Sequence, residues 1–266
     1  VSDVARHYGS SDLFDRIVGA LEAAGLSVGE LDADQLAGVD EFHLGGRSAT
    51  DALLADVGLR PGSSVVDVGC GIGGAARVTA GRGCTVVGVD LTPEFVDVAV
   101  RLAAALGLDE MARFEIGNAL ELPVDDAWAD VATLLHVGMN IADKGALMKE
   151  VARVLRTGGT FAVYDIMRVG DGDIAFPVPW ASSVDHSFVV SPEEYVEALQ
   201  EAGFVEPVVT DRRPLVRQVI ADQQADPPPV HLGHLMGPQF SEMFANLLPL
   251  VADGVLAPMQ IVARKA

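Results

Sequence analysis

The stretch Val65-Val66-Asp67-Val68-Gly69-Cys70-Gly71-Ile72-Gly73-Gly74 constrains this 266-residue chain more than any other. A β-rich apolar run meets four glycines and passes into Ala75-Ala76-Arg77-Val78, a helical start. A strand, a glycine turn and a helix in that order let backbone approach a ligand closely, while the new helix presents unpaired N–H groups. Gly69, Gly71 and Gly74 fit the nucleotide-cofactor spacing G-x-G-x-x-G, which structural turns also show. Asp67, two residues ahead of the first glycine, narrows the pattern to D-x-G-x-G-x-G.

Around this turn strands and helices alternate. Strands are expected over 64–68, 85–89, 113–116, 130–135 and 160–164, the last after a Gly158-Gly159 turn. Helices are expected up to Gly81, over 93–106 and over 143–155. Continuous apolar strands between amphipathic helices require a parallel sheet covered on both faces and right-handed crossovers, a doubly wound Rossmann-like α/β fold. Ahead of it, residues 1–47 read as a helical N-terminal cap, with the domain proper over 48–266. Ser10 or Ser11 can cap a helix whose apolar positions are Leu13, Phe14, Ile17, Val18 and Leu21, and a short second helix is expected near 34–37. In Phe42-His43-Leu44-Gly45-Gly46-Arg47 a glycine pair lies outside any regular element, as a turn or as a ligand contact. A helix over 48–57 leads into the first strand.

The regularity lapses over 167–190, too long for an ordinary connection, and the apolar Phe176, Val178, Trp180 and Phe188 there imply an ordered lid. Ser191-Pro192-Glu193-Glu194 starts a helix ending at Gly203, and a sixth strand is expected over 204–210. A second insertion, 211–254, holds two helical patterns separated by Pro227-Pro228-Pro229, and the last strand is expected over 258–264.

Thirty-eight acidic against 18 basic residues give a formal charge of −20, which repels phosphate backbones and anionic lipid, so neither nucleic acid nor a membrane is the expected partner. Cys70 and Cys84 make no disulfide framework and no zinc set. No apolar run approaches the roughly 18 residues of a membrane helix, and residues 1–6 carry no export pattern, so the expected location is cytoplasmic.

Asp90 ends the second strand in Val-Val-Gly-Val-Asp-Leu-Thr-Pro, where an acidic side chain either accepts from both hydroxyls of a ribose or merely caps the next helix. His136 lies just past the fourth strand, at the sheet edge where ligands bind, as a general base or as a pocket-shaping ring. Asn140 either caps the following helix or orients substrate, and Trp180 either packs in the core or walls a substrate pocket. His231 and His234 are spaced to share a helix face, but no Cys or paired acidic ligand accompanies them, and no metal is expected.

Taken together, the glycine turn, Asp90 and Gly117-Asn118-Ala119 after the third strand resemble the class I S-adenosylmethionine (SAM) dependent methyltransferases. Residues 42–47 and 65–74 are similar to the small-molecule branch, which includes the quinone-biosynthesis, phosphoethanolamine and sarcosine/dimethylglycine methyltransferases. NAD would suit the same turn and Asp90. The short-chain dehydrogenase pair Tyr-x-x-x-Lys is missing, however: Asp12, Arg168 and Leu199 stand four places after Tyr8, Tyr164 and Tyr195. The resemblance implies a seven-stranded sheet whose last strand inserts antiparallel between the fifth and sixth. It implies SAM as cofactor, with Gly46, Gly69 and Gly71 lining its methionine part and Asp67 holding its amino group indirectly. Asp90 would take the ribose, Leu91 and Ala119 would flank the adenine, and Leu135 would offer its carbonyl. Asn118, in place of the commoner aspartate, would meet the adenine amino group. The implied activity is methyl transfer to a nitrogen, oxygen or carbon nucleophile of a small molecule. The alternatives are an NAD-dependent oxidoreductase and a non-catalytic SAM-binding protein.

Overall fold

A computed structural model describes residues 13–27, 33–226, 230–231 and 239–266. Two cap helices, α1 (Leu13–Ala23) and α2 (Ala33–Asp40), precede α3 (Gly46–Asp56). The alternating core follows as β1 (Ser64–Val68), α4 (Gly74–Gly81), β2 (Thr85–Asp90), α5 (Pro93–Ala105), β3 (Ala112–Ile116), β4 (Ala129–Leu135), α6 (Lys144–Val154) and β5 (Leu155–Arg168). The chain ends with α7 (Pro192–Glu201), β6 (Phe204–Asp211), α8 (Arg213–Ala225), α9 (Phe240–Ala252) and β7 (Leu256–Lys265).

The seven strands form one sheet in the order β3-β2-β1-β4-β5-β7-β6. β1 pairs in parallel with both β2 and β4, so the topological switch point lies between β1 and β4. β7 runs antiparallel to both β5 and β6, as the resemblance implied. Alternate strand residues feed two cores. Val66, Val68, Val87 and Val89 pack with Leu147, Met148 and Val151 of α6, while Val65, Val86 and Val131 pack with Leu53, Val96 and Ala99 of α3 and α5. Burial on both faces is why these strands read as unbroken apolar runs. Leu13, Ile17, Leu21, Leu36 and Val39 of the cap pack on Ile72, Phe95 and Leu102, so α1 and α2 sit directly against the glycine turn and α5.

Helix starts follow from local chemistry. Ser191 and Glu194 close a capping box on α7, and Pro93 supplies the N–H-free first turn of α5. Asp143 caps α6 by accepting the Ala146 N–H at 2.8 Å. That cap corrects the alternative in which Asn140 served: Asn140 ends a one-turn 3-10 segment, Gly138–Asn140, three residues too early. β5 is also longer than expected at both ends. Residues 165–168 pair with 256–259 of β7, so strand continues through Met167 and Arg168, where the first lid was expected to begin. Gly45 and Gly46 form the left-handed entry to α3 rather than standing outside regular structure. The Ser10 or Ser11 cap, Pro227-Pro228-Pro229 and His234 lie outside the described residues. Among the described residues no helix is long and apolar enough to cross a membrane.

Candidate functional site

At the carboxyl edge of β1, β2, β3 and β4 the structure opens a cavity of about 470 Å³, within the size range of small-molecule sites. The glycine turn forms its floor. Gly69 and Cys70 donate their N–H groups to the Val89 carbonyl at 2.7 and 3.0 Å, which locks the turn to the end of β2. Gly74 starts α4 so close to the cap that a Cβ would lie 2.7 Å from the Asp40 carbonyl oxygen. Gly71 has a left-handed φ of 55°, and a Cβ there would meet only Phe42, at 3.8 Å. It therefore presents bare backbone to the cavity.

Three acidic or amide side chains line this end. Asp90 Oδ2 accepts the Gly71 N–H and Oδ1 accepts the Thr92 N–H, both at 2.9 Å, which leaves each oxygen a second acceptor position. Burial raises its pKa, and the backbone N–H groups of Thr92 and Gly71 work against that rise. The bond to Gly71 was not anticipated: Asp90 shapes the glycine turn as well as facing the cavity. Asp67 Oδ1 accepts the Thr133 hydroxyl at 2.7 Å, whereas Oδ2 is buried without a partner. Burial, only partly opposed by the Thr133 hydrogen bond, pushes its pKa up to about 6. Asn118 lies in the rim, where its Oδ1 already accepts the Leu120 N–H at 3.0 Å and keeps one lone-pair position. Leu91, Ala119 and Leu135 also line the cavity. Gly46 does not. As the first residue of α3 it turns away, its N–H bonded to the His43 carbonyl at 3.2 Å, and the preceding side chains from Asp40 to Leu44 take the wall instead.

Those side chains form a network no motif announced. Glu41, almost fully buried, accepts from His43 Nε2 at 2.8 Å, the Thr50 hydroxyl at 2.8 Å and Arg47 Nε at 3.2 Å. Burial would raise its pKa, but the His43 hydrogen bond and charge, the Thr50 hydroxyl and the Arg47 charge outweigh burial and bring it down to about 2. Beneath the turn, Arg77 is fully buried and donates to Asp40 Oδ1 at 2.5 Å and to the Ile72 carbonyl at 2.6 Å. Burial still lifts the Asp40 pKa to about 6 against the neighbouring guanidinium.

His136 follows β4 with φ of 55°, a conformation uncommon for a side-chain-bearing residue. Its N–H bonds the Tyr164 carbonyl at 2.7 Å, and its ring packs against both Tyr164 and His43, with centroids 5.1 and 5.6 Å away. Nε2 is buried and unpartnered, and burial followed by the His43 charge holds the pKa well below the usual histidine value. The ring is therefore neutral at physiological pH. The unusual backbone is pinned from behind. Asp165 accepts the Val137 N–H at 2.9 Å and the Tyr195 hydroxyl at 2.5 Å, and burial pushes its pKa up to about 7. The two residues are 30 positions apart, and nothing in either local sequence signals the pair.

The opposite wall is aromatic. Trp180 donates Nε1–H to the Ser187 hydroxyl at 3.0 Å, and Phe188 donates its N–H to the Met139 carbonyl at 2.8 Å, fixing the 169–190 segment over the 3-10 turn. Lys144 reinforces this from below, donating to the Ile141 carbonyl at 2.5 Å and the Phe188 carbonyl at 2.8 Å. Asn246 of α9 donates to the Pro177 carbonyl at 2.9 Å, joining the two insertions. Phe240, Phe244 and Leu247 of α9 face the cavity with Trp180 and Phe188. Asn140 lines the same space. Among the described residues no cluster of three or more metal-ligating side chains exists.

Residues 66–163 match the family model described as a methyltransferase domain. Among curated relatives, the 2-methyl-6-phytyl-1,4-hydroquinone methyltransferase of Synechocystis is 33% identical over 57% of this chain and 49% of its own length. The 27-O-demethylrifamycin SV methyltransferase of Amycolatopsis mediterranei is 32% identical over 58% of each. The chain thus spans about half the length of the curated relatives it matches. Among solved structures, the Streptomyces coelicolor geranyl diphosphate C-methyltransferase superposes with a TM-score of 0.67 over 82% of this chain and 80% of that one, at 22% identity. It was solved with Mg2+, geranyl diphosphate and S-adenosyl-L-homocysteine. The Haemonchus contortus phosphoethanolamine N-methyltransferase 2 superposes with a TM-score of 0.73 over 100% of this chain and 61% of that one, at 19% identity. At such identities the likeness is one of fold.

Proposed function

We propose that this protein, whose residues 66–163 match a methyltransferase-domain model, transfers the methyl group of SAM to a small-molecule acceptor. The observation that carries the reading is Asp67 Oδ2, a buried acceptor without a partner at the cavity floor, two residues before a glycine turn that offers bare backbone at Gly71. An unsatisfied buried carboxylate oxygen is costly unless a ligand donor completes it. The donor set fits SAM: Asp67 for the amino group, indirectly, the two open acceptor positions of Asp90 for the ribose diol, and Asn118 for the adenine edge. When bound, SAM supplies an electrophilic methyl group and a neutral thioether leaving group.

Such a displacement asks little covalent chemistry of the protein. Its work is to hold the nucleophile at about 3 to 3.5 Å in line and to keep water out. The carboxylates, with the glycine turn, fix one partner; the aromatic wall and Asn140 confine the other. His136 is the residue proposed to take the acceptor's proton, at Nε2, which faces no protein partner. Its lowered pKa keeps it uncharged and available at neutral pH, while limiting it to weak-base assistance. The same proposal places the protein in the cytoplasm, in keeping with two free cysteines, and assigns it no nucleic-acid partner, in keeping with its charge of −20.

The test is calorimetric titration with SAM, S-adenosylhomocysteine and NAD, followed by a methyl-transfer screen of small metabolites. SAM and its demethylated product should bind and raise the melting temperature by mass action, and NAD should do neither. With an acceptor in hand, His136→Gln should lower kcat while leaving SAM affinity unchanged. Binding of NAD alone would overturn the assignment.

A further inference from the structure

The cavity has two chemically different ends, and the second limits what can occupy it. Opposite the carboxylates, Met139, Trp180, Phe188, Phe240, Phe244 and Leu247 converge from a 3-10 turn, the 169–190 segment and α9. Phe240 and Phe244 pack together with ring centroids 4.5 Å apart and planes tilted by 38°, a preformed apolar shelf. Trp180 is 4% exposed and its indole N–H is already taken by Ser187, so it offers the cavity only apolar ring.

Among the described residues, neither Lys nor Arg lines the cavity. The nearby Lys144 spends its ammonium on two backbone carbonyls, and Arg47 and Arg77 are committed to Glu41 and Asp40. The carboxyl groups that face the space are Asp40, Glu41, Asp67, Asp90 and Asp143, and His43 beside them is paired to Glu41. A phosphate or carboxylate entering here would lose water, meet like charge and find no lysine or arginine to pair with.

Building on the methyltransferase reading, we propose that the acceptor is an uncharged, predominantly apolar molecule carrying no phosphate or carboxylate. Its hydrocarbon body lies between Trp180, Phe188 and the Phe240–Phe244 shelf, and its one nucleophilic atom sits beside His136. This separates the protein from the two solved neighbours named above, whose structures carry a geranyl diphosphate and a phosphomonomethylethanolamine.

The experiment uses the whole chain saturated with S-adenosylhomocysteine and the neutral fluorophore N-phenyl-1-naphthylamine. Geraniol and geranyl diphosphate, which share a carbon skeleton and differ in the anionic group, then compete for the probe, the latter with and without Mg2+. The probe should brighten on binding, and geraniol should displace it at a concentration at least tenfold below that of the diphosphate in either arm. Phe240→Ser with Phe244→Ser should weaken probe binding at least fivefold, with S-adenosylhomocysteine affinity, checked by calorimetry, within twofold of wild type. If that double variant misfolds, Trp180→Phe, which keeps an apolar ring, should retain probe binding within threefold, and Phe244→Ser alone should weaken it at least twofold. Absence of probe binding, indifference of the probe to the shelf variants, or displacement by the diphosphate at or below the geraniol concentration would overturn the proposal. Failure of S-adenosylhomocysteine to bind while the probe still binds at the shelf would instead overturn the methyltransferase reading and leave the apolar chamber standing.

Discussion

At the β1–β2 end of the cavity the ligand-facing atoms are carboxylate oxygens and bare backbone drawn largely from residues 67–90, whereas at the α9 end they are ring carbons from segments as far apart as Trp180 and Phe244. The first end is directional. Asp90 has its two oxygens aimed by Gly71 and Thr92 N–H groups, and Asp67 has one oxygen held by Thr133. The second end supplies area without direction, and the bonds that hold it run behind the wall, through Ser187, Met139 and Pro177. A directional site fails when one atom is moved. An apolar wall loses in proportion to the surface removed.

The largest separation between the two ends should come from what supports them. Arg77→Leu leaves Asp40 buried without its cation directly against Gly74, and the expected loss of unfolding free energy is about 3–5 kcal/mol, measured by urea denaturation. Phe244→Leu at the opposite wall should cost about 1 kcal/mol or less. Equal losses would mean that the buried pair does not brace the turn. Asp40→Leu combined with Arg77→Leu should recover part of the loss, because no buried charge is then left alone.

A smaller effect, on binding rather than folding, is expected from Asp90→Ala. It leaves two ribose donors unpaired, at about 1–3 kcal/mol each, and also releases the Gly71 N–H. SAM affinity should fall at least about tenfold, while N-phenyl-1-naphthylamine affinity stays as in wild type. Wild-type SAM affinity in a folded Asp90→Ala protein would remove the cofactor from the end of β2.

The finest distinction is pH dependence, which only the carboxylate end should show. The Asp67 pKa stands at about 6 in the free protein, above its unfolded value, so the folded chain binds more protons between roughly pH 4 and 6. Its contribution to stability is therefore fully present below that window and lost as pH rises through 6. Binding of a cationic amino group has the opposite sign, since it needs the ionised form: SAM affinity should fall by up to roughly tenfold from pH 7 to pH 5. Asp67→Asn should flatten the Asp67 part of that dependence and raise the stability of the ligand-free protein at pH 8. Probe binding at the aromatic wall should not change over the same range; a parallel decline there would point to a general loss of structure.

How much of this was legible along the chain depended on the distance between partners. The strand, glycine turn and helix over 65–78 could be read directly, because an unbroken apolar run, left-handed glycines and a helix start are local properties. The parallel sheet followed from alternation and right-handed crossover, and Asp90 was visible as an acidic residue at a strand end. Even there the reading was incomplete: the Gly71 bond to Asp90 spans 19 residues and gives the side chain a structural duty no motif encodes. The capping alternative for Asn140 missed by three positions, because Asp143 takes that role, and Gly46 missed because the left-handed turn at Gly45 puts it at the start of α3, away from the cavity.

By itself, then, the sequence determined the doubly wound core, the glycine turn that follows its first strand and the acidic residues near the ends of its first two strands, all products of interactions within a few turns of chain. Only the tertiary structure decided that Arg77 pairs with Asp40 across 37 residues, that Tyr195 and Asp165 pin the backbone of His136, that His43 and Thr50 ionise Glu41, and that α9 meets the 169–190 segment to make an apolar chamber. These arise when a collapsing chain must partner each buried polar group with whatever the fold has brought within about 3 Å, a condition set by packing in space and carried by no local pattern.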